Sequence, residues 1–245
     1  MQATTNTAAV IDAANLKFTS HVKSILKDLS KFSDEALDWL MMEHYQFSFR
    51  NTTFLSKAAA TAQQFRSAAI EAELTRNYNE ERGHARMYKR ALRKMGTDVE
   101  IRRDFSPTAA FFKCIDGLIA DCPSRMLGAM YATETAAIFE HEVFWDISRE
   151  VARRRGQAFE GSELKAFHDL HLNGVEQSHK DELGVFVKEG GVAEDAMARA
   201  TGGANVDYAK ARAGGLDAIA AMAVWWELLL EEMQVKQQPA KTAHG

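Results

Sequence analysis

Two short segments carry the same pair of chemically able side chains: Glu81-Arg82-Gly83-His84 and Glu176-Gln177-Ser178-His179. On an α-helix, residues three apart lie roughly 60° from one another around the axis, so the carboxylate and imidazole of each pair can reach one cation. A single Glu-x-x-His is common by chance. Two of them in strongly helical surroundings, with further glutamates between, match the ligand set by which helical carboxylate proteins hold two iron ions. Such a centre takes about six protein donors, oxygen and imidazole nitrogen mixed, and leaves coordination positions open for dioxygen.

The pairs supply four donors. A fifth is sought on the long helix expected over residues 123–154, which offers Glu134, Glu140 and Glu142. Glu134 is preferred over Glu140 because its neighbours Gly128-Ala129-Met130-Tyr131-Ala132 and Ala136-Ala137 are small or apolar. A carboxylate buried among them needs a cation or hydrogen-bond donors. His171 is the candidate sixth donor. It lies roughly 140° from Glu176 on an ideal helix but only about 80° from His179. A local π-bulge, a distortion frequent at functional sites, would let both border one centre; His168 is the alternative. Glu80, beside Glu81, reads as a solvated neighbour or a second, outer acceptor rather than as a bridging ligand. His21 and His141 read as ordinary helix histidines, and Trp225, Trp226, Phe111, Phe112 and Phe139 as packing.

These residues have to be positioned by helices. The chain of 245 residues has 3 prolines, 15 glycines, 46% hydrophobic and 26% charged residues, which fits one all-α domain with a sizeable core. Helices are expected from about Leu16 to Leu29, from Asp34, and from near Ala62 to Gly96 with an interruption at Gly83. Others open at Ser106-Pro107 with Ser106 as cap, run from Pro123 to Arg154, carry His168 through His179 to Gly190-Gly191, and run from Leu216 to about Val235. Residues 192–215, with Gly202-Gly203 and Gly214-Gly215, read as the loosest segment. The reading divides the chain into a flexible N-terminus over 1–15, a helical domain over 16–236 and a disordered tail over 237–245.

Net charge of −4 favours neither nucleic acid nor an anionic membrane. Arg153-Arg154-Arg155 reads as a solvated helix end, since cations favour helix C-termini. Cys114 and Cys122 sit in one expected helix and read as buried thiols of a reducing compartment. No signal-peptide pattern opens the chain. Leu216–Leu230 carries Asp217 and Glu227 and is too short to span a bilayer, so a soluble, cytoplasmic protein is expected.

Several of these stretches resemble the heme-oxygenase-like di-iron oxidases and oxygenases, whose fold is shared with thiaminase II and pyrroloquinoline-quinone synthase. Leu37-Asp38-Trp39-Leu40-Met41-Met42-Glu43-His44-Tyr45-Gln46-Phe47-Ser48 resembles the family's aromatic early helix. Asn77 through His84 is similar to its Asn-x-x-Asp/Glu-Glu-x-Gly segment with a following ligand histidine. Gly128 through Glu134 resembles the helix of the bridging glutamate, and Leu170-His171 through His179 the closing His…Asp-x-x-His motif. The resemblance covers most of residues 20–235. It implies a single-domain bundle of about seven or more helices and the ligands Glu81, His84, Glu134, His171, Glu176 and His179. Glu176 stands where the family usually has Asp, and its spacing from His171 is one residue longer.

What the resemblance implies chemically is a non-heme di-iron centre with dioxygen as co-substrate, acting through a peroxo di-ferric intermediate. Known outcomes in the family include N-oxygenation, oxidative cleavage of an amino-acid chain, and decarboxylation of a fatty acid to an alkene. Glu43, His44, Tyr45 and Gln46, placed near the expected cavity, incline the reading to a small amine or amino-acid-type substrate. An external electron donor and a homodimer are further expectations. Three rivals stand beside it. A ferritin-like four-helix bundle would use Glu43 and Glu140 as the single glutamates preceding each Glu-x-x-His. A metal-free, thiaminase-like hydrolase would need a site cysteine, and a non-catalytic helical protein would store iron or bind a partner.

Overall fold

The computed structural model describes residues 6–65, 68–188 and 206–236. The expectations for Gly190-Gly191, Gly202-Gly203 and the tail over 237–245 lie outside these residues. Among the described residues the chain is helical, with no strand: α1 (Thr7–Leu26), α2 (Asp34–Ala62), α3 (Ala68–Glu81), α4 (His84–Lys94), α5 (Ser106–Asp121), α6 (Pro123–Arg154), α7 (Glu163–Leu170), α8 (Glu176–Val187) and α9 (Tyr208–Val235). Short 3₁₀ turns precede α2, follow it, and link α4 to α5.

Local chemistry sets most of the boundaries. Ser33 accepts from the Ala36 amide and Ser162 from that of Lys165, capping α2 and α7 as N-cap serines do. Pro107 and Pro123 sit in the opening turns of α5 and α6, where a missing N–H costs nothing. Ser106 is the first helical residue of α5 and makes no cap bond; the cap position belongs to Phe105. The first helix begins at Thr7 rather than Leu16, capped by Asn6. Ala8, Ile11 and Asn15 follow the helical period and are buried, so residues 7–15 are helix with one face in the core and not a flexible arm.

α6 is the central element, packed against α1, α2, α5, α7, α8 and α9. Its run from Met126 to Ala136 is buried on every side. Gly214 and Gly215, read from sequence as loose, lie inside α9 and set its approach to α6. A Cβ on Gly128 would meet the Ala211 carbonyl oxygen at 1.8 Å, and one on Gly214 the Arg125 carbonyl oxygen at 2.2 Å. Local sequence shows flexible glycines; only the crossing of two distant helices shows why they are needed.

α9 has the length and mean hydropathy, 1.4, of a membrane span, longer than the Leu216–Leu230 stretch implied. Gly214, Ala218, Met222, Trp225, Trp226 and Leu229 are nonetheless buried against the bundle, which makes it a core helix. The arginine run also differs from expectation. Arg154 donates to the Leu29 and Phe32 carbonyls and to Asp34, and Arg155 to the Met95 carbonyl and Asp38. These residues tie the end of α6 to its neighbours. Cys114 is exposed and Cys122 half-buried, both as free thiols, because Cys114 falls on the outer face of α5.

Candidate metal centre

Each Glu-x-x-His pair is positioned at a break between helices. α3 ends on Glu81 and α4 begins on His84 after the Arg82-Gly83 turn. There His84 Nδ1 lies 2.9 Å from Glu81 Oε2 and 3.1 Å from His171 Nε2. The second pair opens α8, and the segment before it, His171–Val175, is a wide π-type turn. Asn173 (φ −80°, ψ 26°) and Gly174 (φ 108°, ψ −4°) leave helical geometry inside that turn; the left-handed φ suits glycine. The expected widening is present as a kink, and it absorbs the extra residue that separates His171 from Glu176.

Glu134 enters from α6, with its Oε2 at 3.4 Å from His179 Nδ1. Glu176 faces both groups: its Oε1 is 3.8 Å from His171 Nε2, and its Oε2 is 4.0 Å from His179 Nδ1. The six sequence candidates thus converge as two sets, Glu81–His84–His171 and Glu134–Glu176–His179, each with donor atoms within 4.8 Å of one another. A transition metal about 2.1 Å from each donor places adjacent donors about 3 Å apart.

Unpartnered atoms point to the same conclusion. Glu81 Oε1, Glu134 Oε1 and His179 Nδ1 are buried without a hydrogen-bond partner; at 3.4 Å the Glu134–His179 contact is an ion pair that lacks hydrogen-bond geometry. Buried carboxylate oxygens and a ring nitrogen left open side by side are costly alone and suit cations. Both amide atoms of the buried Asn77, one turn before Glu81 on α3, are also unpartnered.

Partners outside the cluster fix the ring nitrogens. His171 Nδ1–H donates to the Phe167 carbonyl at 2.7 Å. A carbonyl only accepts, so Nε2 presents its lone pair inward. His179 Nε2 is 2.7 Å from Glu80 Oε2, the carboxylate–histidine arrangement that orients metal ligands; Glu80 is the second acceptor expected of it.

The electrostatics follow from burying several ionisable groups side by side. Burial, together with the Glu134 and Glu81 charges, holds the Glu176 carboxyl well above the usual range. Burial depresses the His171 imidazole to about 4. Burial also opposes charge on His179, but Glu134 and Glu80 on its two sides outweigh it and carry the ring up to about 9.

The alternatives separate cleanly. Glu140 accepts from Trp226 Nε1 at 3.1 Å and lies 3.8 Å from His44 Nε2, away from His179; burial pushes its carboxyl up to about 8. His168 sits behind the cluster, 3.1 Å from Ser148 Oγ. Glu43 is fully buried against Arg102, which donates to both its oxygens at 2.6 and 2.9 Å, and Thr108, which donates at 2.6 Å. It is unavailable to a metal, so the ferritin-like ligand plan fails at Glu43 and at Glu140. Sequence reasoning missed His141. Its Nε2 lies 3.7 Å from Glu176 Oε1, and it shares a donor group with His171 and Glu176. The signal was available, since His141 follows Glu134 by seven residues, two helical turns, and so shares its face.

The family model of iron-containing redox enzymes matches residues 38–200, a span holding all six candidate residues. No curated protein matches the sequence. Among solved structures, a CADD-like protein of unknown function from Nostoc punctiforme is similar at 20% identity, with 89% of this chain and 97% of that one covered and a TM-score of 0.69. A domain of unknown function with a heme oxygenase-like fold from Shewanella denitrificans follows at 14% identity, covering 97% and 95%, with TM-score 0.66. A TenA homolog from Pseudomonas syringae pv. tomato is 14% identical over 92% and 91%, with TM-score 0.64. At these identities the structures establish the fold alone. Fold, sequence match and convergent donors together lead to one conclusion: the chain belongs to the iron-containing redox enzyme family and has its heme-oxygenase-like, all-α fold.

Proposed function

We propose that this protein is a non-heme di-iron enzyme that activates dioxygen to oxidise a small substrate. The observation that carries the reading is Glu176, whose two oxygens face the two donor sets from opposite sides. In this reading Glu81, His84 and His171 would hold one iron, and Glu134, Glu176 and His179 the other. Two ferrous ions there supply two electrons for the reduction of dioxygen; the protein supplies position and a dry surrounding.

The chain's own residues have definable tasks. The Phe167 carbonyl and Glu80 hold the outer ring nitrogens of His171 and His179, turning the inner ones toward the other donors of the cluster. Phe167, which packs against His171, is stacked on Tyr88 at 4.3 Å, and both are fully buried; they exclude water from the interior side.

The residues that inclined the sequence reading toward an amine no longer argue for it. Glu43 is engaged by Arg102 and Thr108, and His44 Nδ1 lies 3.1 Å from the Tyr88 hydroxyl. A small amine or amino acid remains the proposed substrate class on the family resemblance alone, with an external electron donor and a homodimeric assembly as parts of the same proposal. The thiaminase-like alternative lacks its nucleophile here, since Cys114 is exposed on α5.

The test is to load the protein anaerobically with Fe(II) and mix it with dioxygen. Fast oxidation of both irons, with a transient visible absorption that decays faster when a substrate is present, supports the oxygenase. Slow oxidation to a mineral-like product supports storage instead.

A further inference from the structure

Behind the centre, three buried side chains form a line that the proposed reaction does not use. His141 Nε2 faces Glu176 Oε1 at 3.7 Å. Its Nδ1 is 3.3 Å from His168 Nδ1, and His168 Nε2 is 3.1 Å from Ser148 Oγ. The His141 ring also lies flat on His171, with centroids 3.9 Å apart and planes 10° from parallel. His141 and His168 are both buried, and Ser148 is fully so.

Hydrogen-bond polarity along this line runs one way. The two Nδ1 atoms face each other, so one ring donates and the other accepts. A metal ligand must be ionised, and against an ionised Glu176, which only accepts, the His141 proton belongs on Nε2 and Nδ1 is left as acceptor. His168 then donates through Nδ1 and accepts through Nε2 from the Ser148 hydroxyl at 3.1 Å, a shorter contact than that hydroxyl makes with Met41 Sδ at 3.9 Å. The opposite polarity would aim a bare nitrogen lone pair at a carboxylate. Stacking supplies a second constraint, because a metal shared by two parallel rings would lie far out of both ring planes. His141 therefore stands beside the ligand set, outside it.

We infer that His141 is a positioning residue for the iron centre. It turns Nε2 toward the Glu176 carboxylate and clamps the His171 ring by stacking, while His168 and Ser148 back its Nδ1. The inference rests on the di-iron reading and adds to it a buried Ser148–His168–His141 support. Partners of this kind typically carry 10- to 100-fold in metal affinity.

The test is anaerobic Fe(II) titration of the full chain, with Mössbauer spectra of the bound iron and melting of the metal-free protein. His141→Phe keeps an aromatic ring on His171 and removes the N–H. It is expected to weaken binding of at least one iron about 10- to 100-fold and to change that iron's spectrum, with metal-free melting close to wild type. His141→Gln, which keeps an N–H donor, should recover part of the affinity. Ser148→Ala, which touches neither Glu176 nor His171, should weaken binding in the same direction. Wild-type affinity and spectra in His141→Phe would overturn the inference and leave the di-iron reading intact. Failure of the wild type to bind an iron pair would overturn both.

Discussion

Glu43 and Glu134 are two buried carboxylates on neighbouring helices, 0% and 2% exposed, and they sit in opposite kinds of surroundings. Around Glu43 every charge has an internal partner: Arg102 binds both oxygens, Thr108 donates to one, and Trp225 Nε1 donates to the Thr108 hydroxyl at 2.9 Å. Around Glu134 the atoms converge but are not matched, with Glu134 Oε1, Glu81 Oε1 and His179 Nδ1 all open. Burial alone therefore does not mark a functional carboxylate. Oxygens left without a hydrogen-bond partner, as on Glu134 and Glu81, do, and the two regions should respond differently when disturbed.

The largest effect is expected at the closed network. Arg102→Ala leaves Glu43 buried and unpaired, which costs about 3–5 kcal/mol in denaturant unfolding of the metal-free protein. The folded fraction should still bind iron. Loss of iron without loss of stability would break the contrast.

Glu140 lies between the two regimes, and its signature is pH dependence. Its carboxyl is pushed up to about 8 by burial, above an unfolded value of about 4.3. Between those limits the native state binds more protons than the unfolded one, so stability falls as pH rises, by up to about 1.4 kcal/mol for each pH unit. Below the lower limit the effect is absent. Glu140→Gln should flatten that slope in metal-free unfolding curves measured between pH 5 and pH 8. A slope unchanged by the substitution would show that Glu140 titrates normally.

Thr108→Val removes the donor to Glu43 and the acceptor of Trp225, and should cost about 1–3 kcal/mol, again with iron retained. Glu134→Gln should do the reverse. Its metal-free stability should change by under about 1 kcal/mol, because few bonds are lost, while iron binding falls below two per chain. Glu142→Ala is the smallest change: Glu142 pairs with Lys23 at the surface, an interaction contributing about 0–1 kcal/mol. That variant should bind two irons.

How much of this was legible depended on the range of the physics. The two Glu-x-x-His pairs could be read because three residues on a helix fix a shared face, whatever the rest of the chain does. Glu134 could be read because its small, apolar neighbours announce burial. The kink before Glu176 could be anticipated from the angular mismatch between His171 and Glu176, although the role of Gly174 could not. Gly128 and Gly214 were opaque, since the backbone contact between α6 and α9 joins segments far apart in sequence. Arg102 fell in an unremarked charged connector, and nothing local ties it to Glu43. Residues 7–15 and His141 were different failures. Ala8, Ile11 and Asn15 keep a helical period, and His141 keeps the face of Glu134, so both signals were present and outweighed by composition.

The central claim is that two distant acid–imidazole pairs, joined by Glu134 and His171, hold a pair of metal ions. Anaerobic ⁵⁷Fe(II) titration with Mössbauer detection tests it most directly. Two irons per chain are predicted, coupled to each other after oxidation and reduced to one or none in His179→Ala. A single isolated iron, or equal iron content in wild type and His179→Ala, would contradict it.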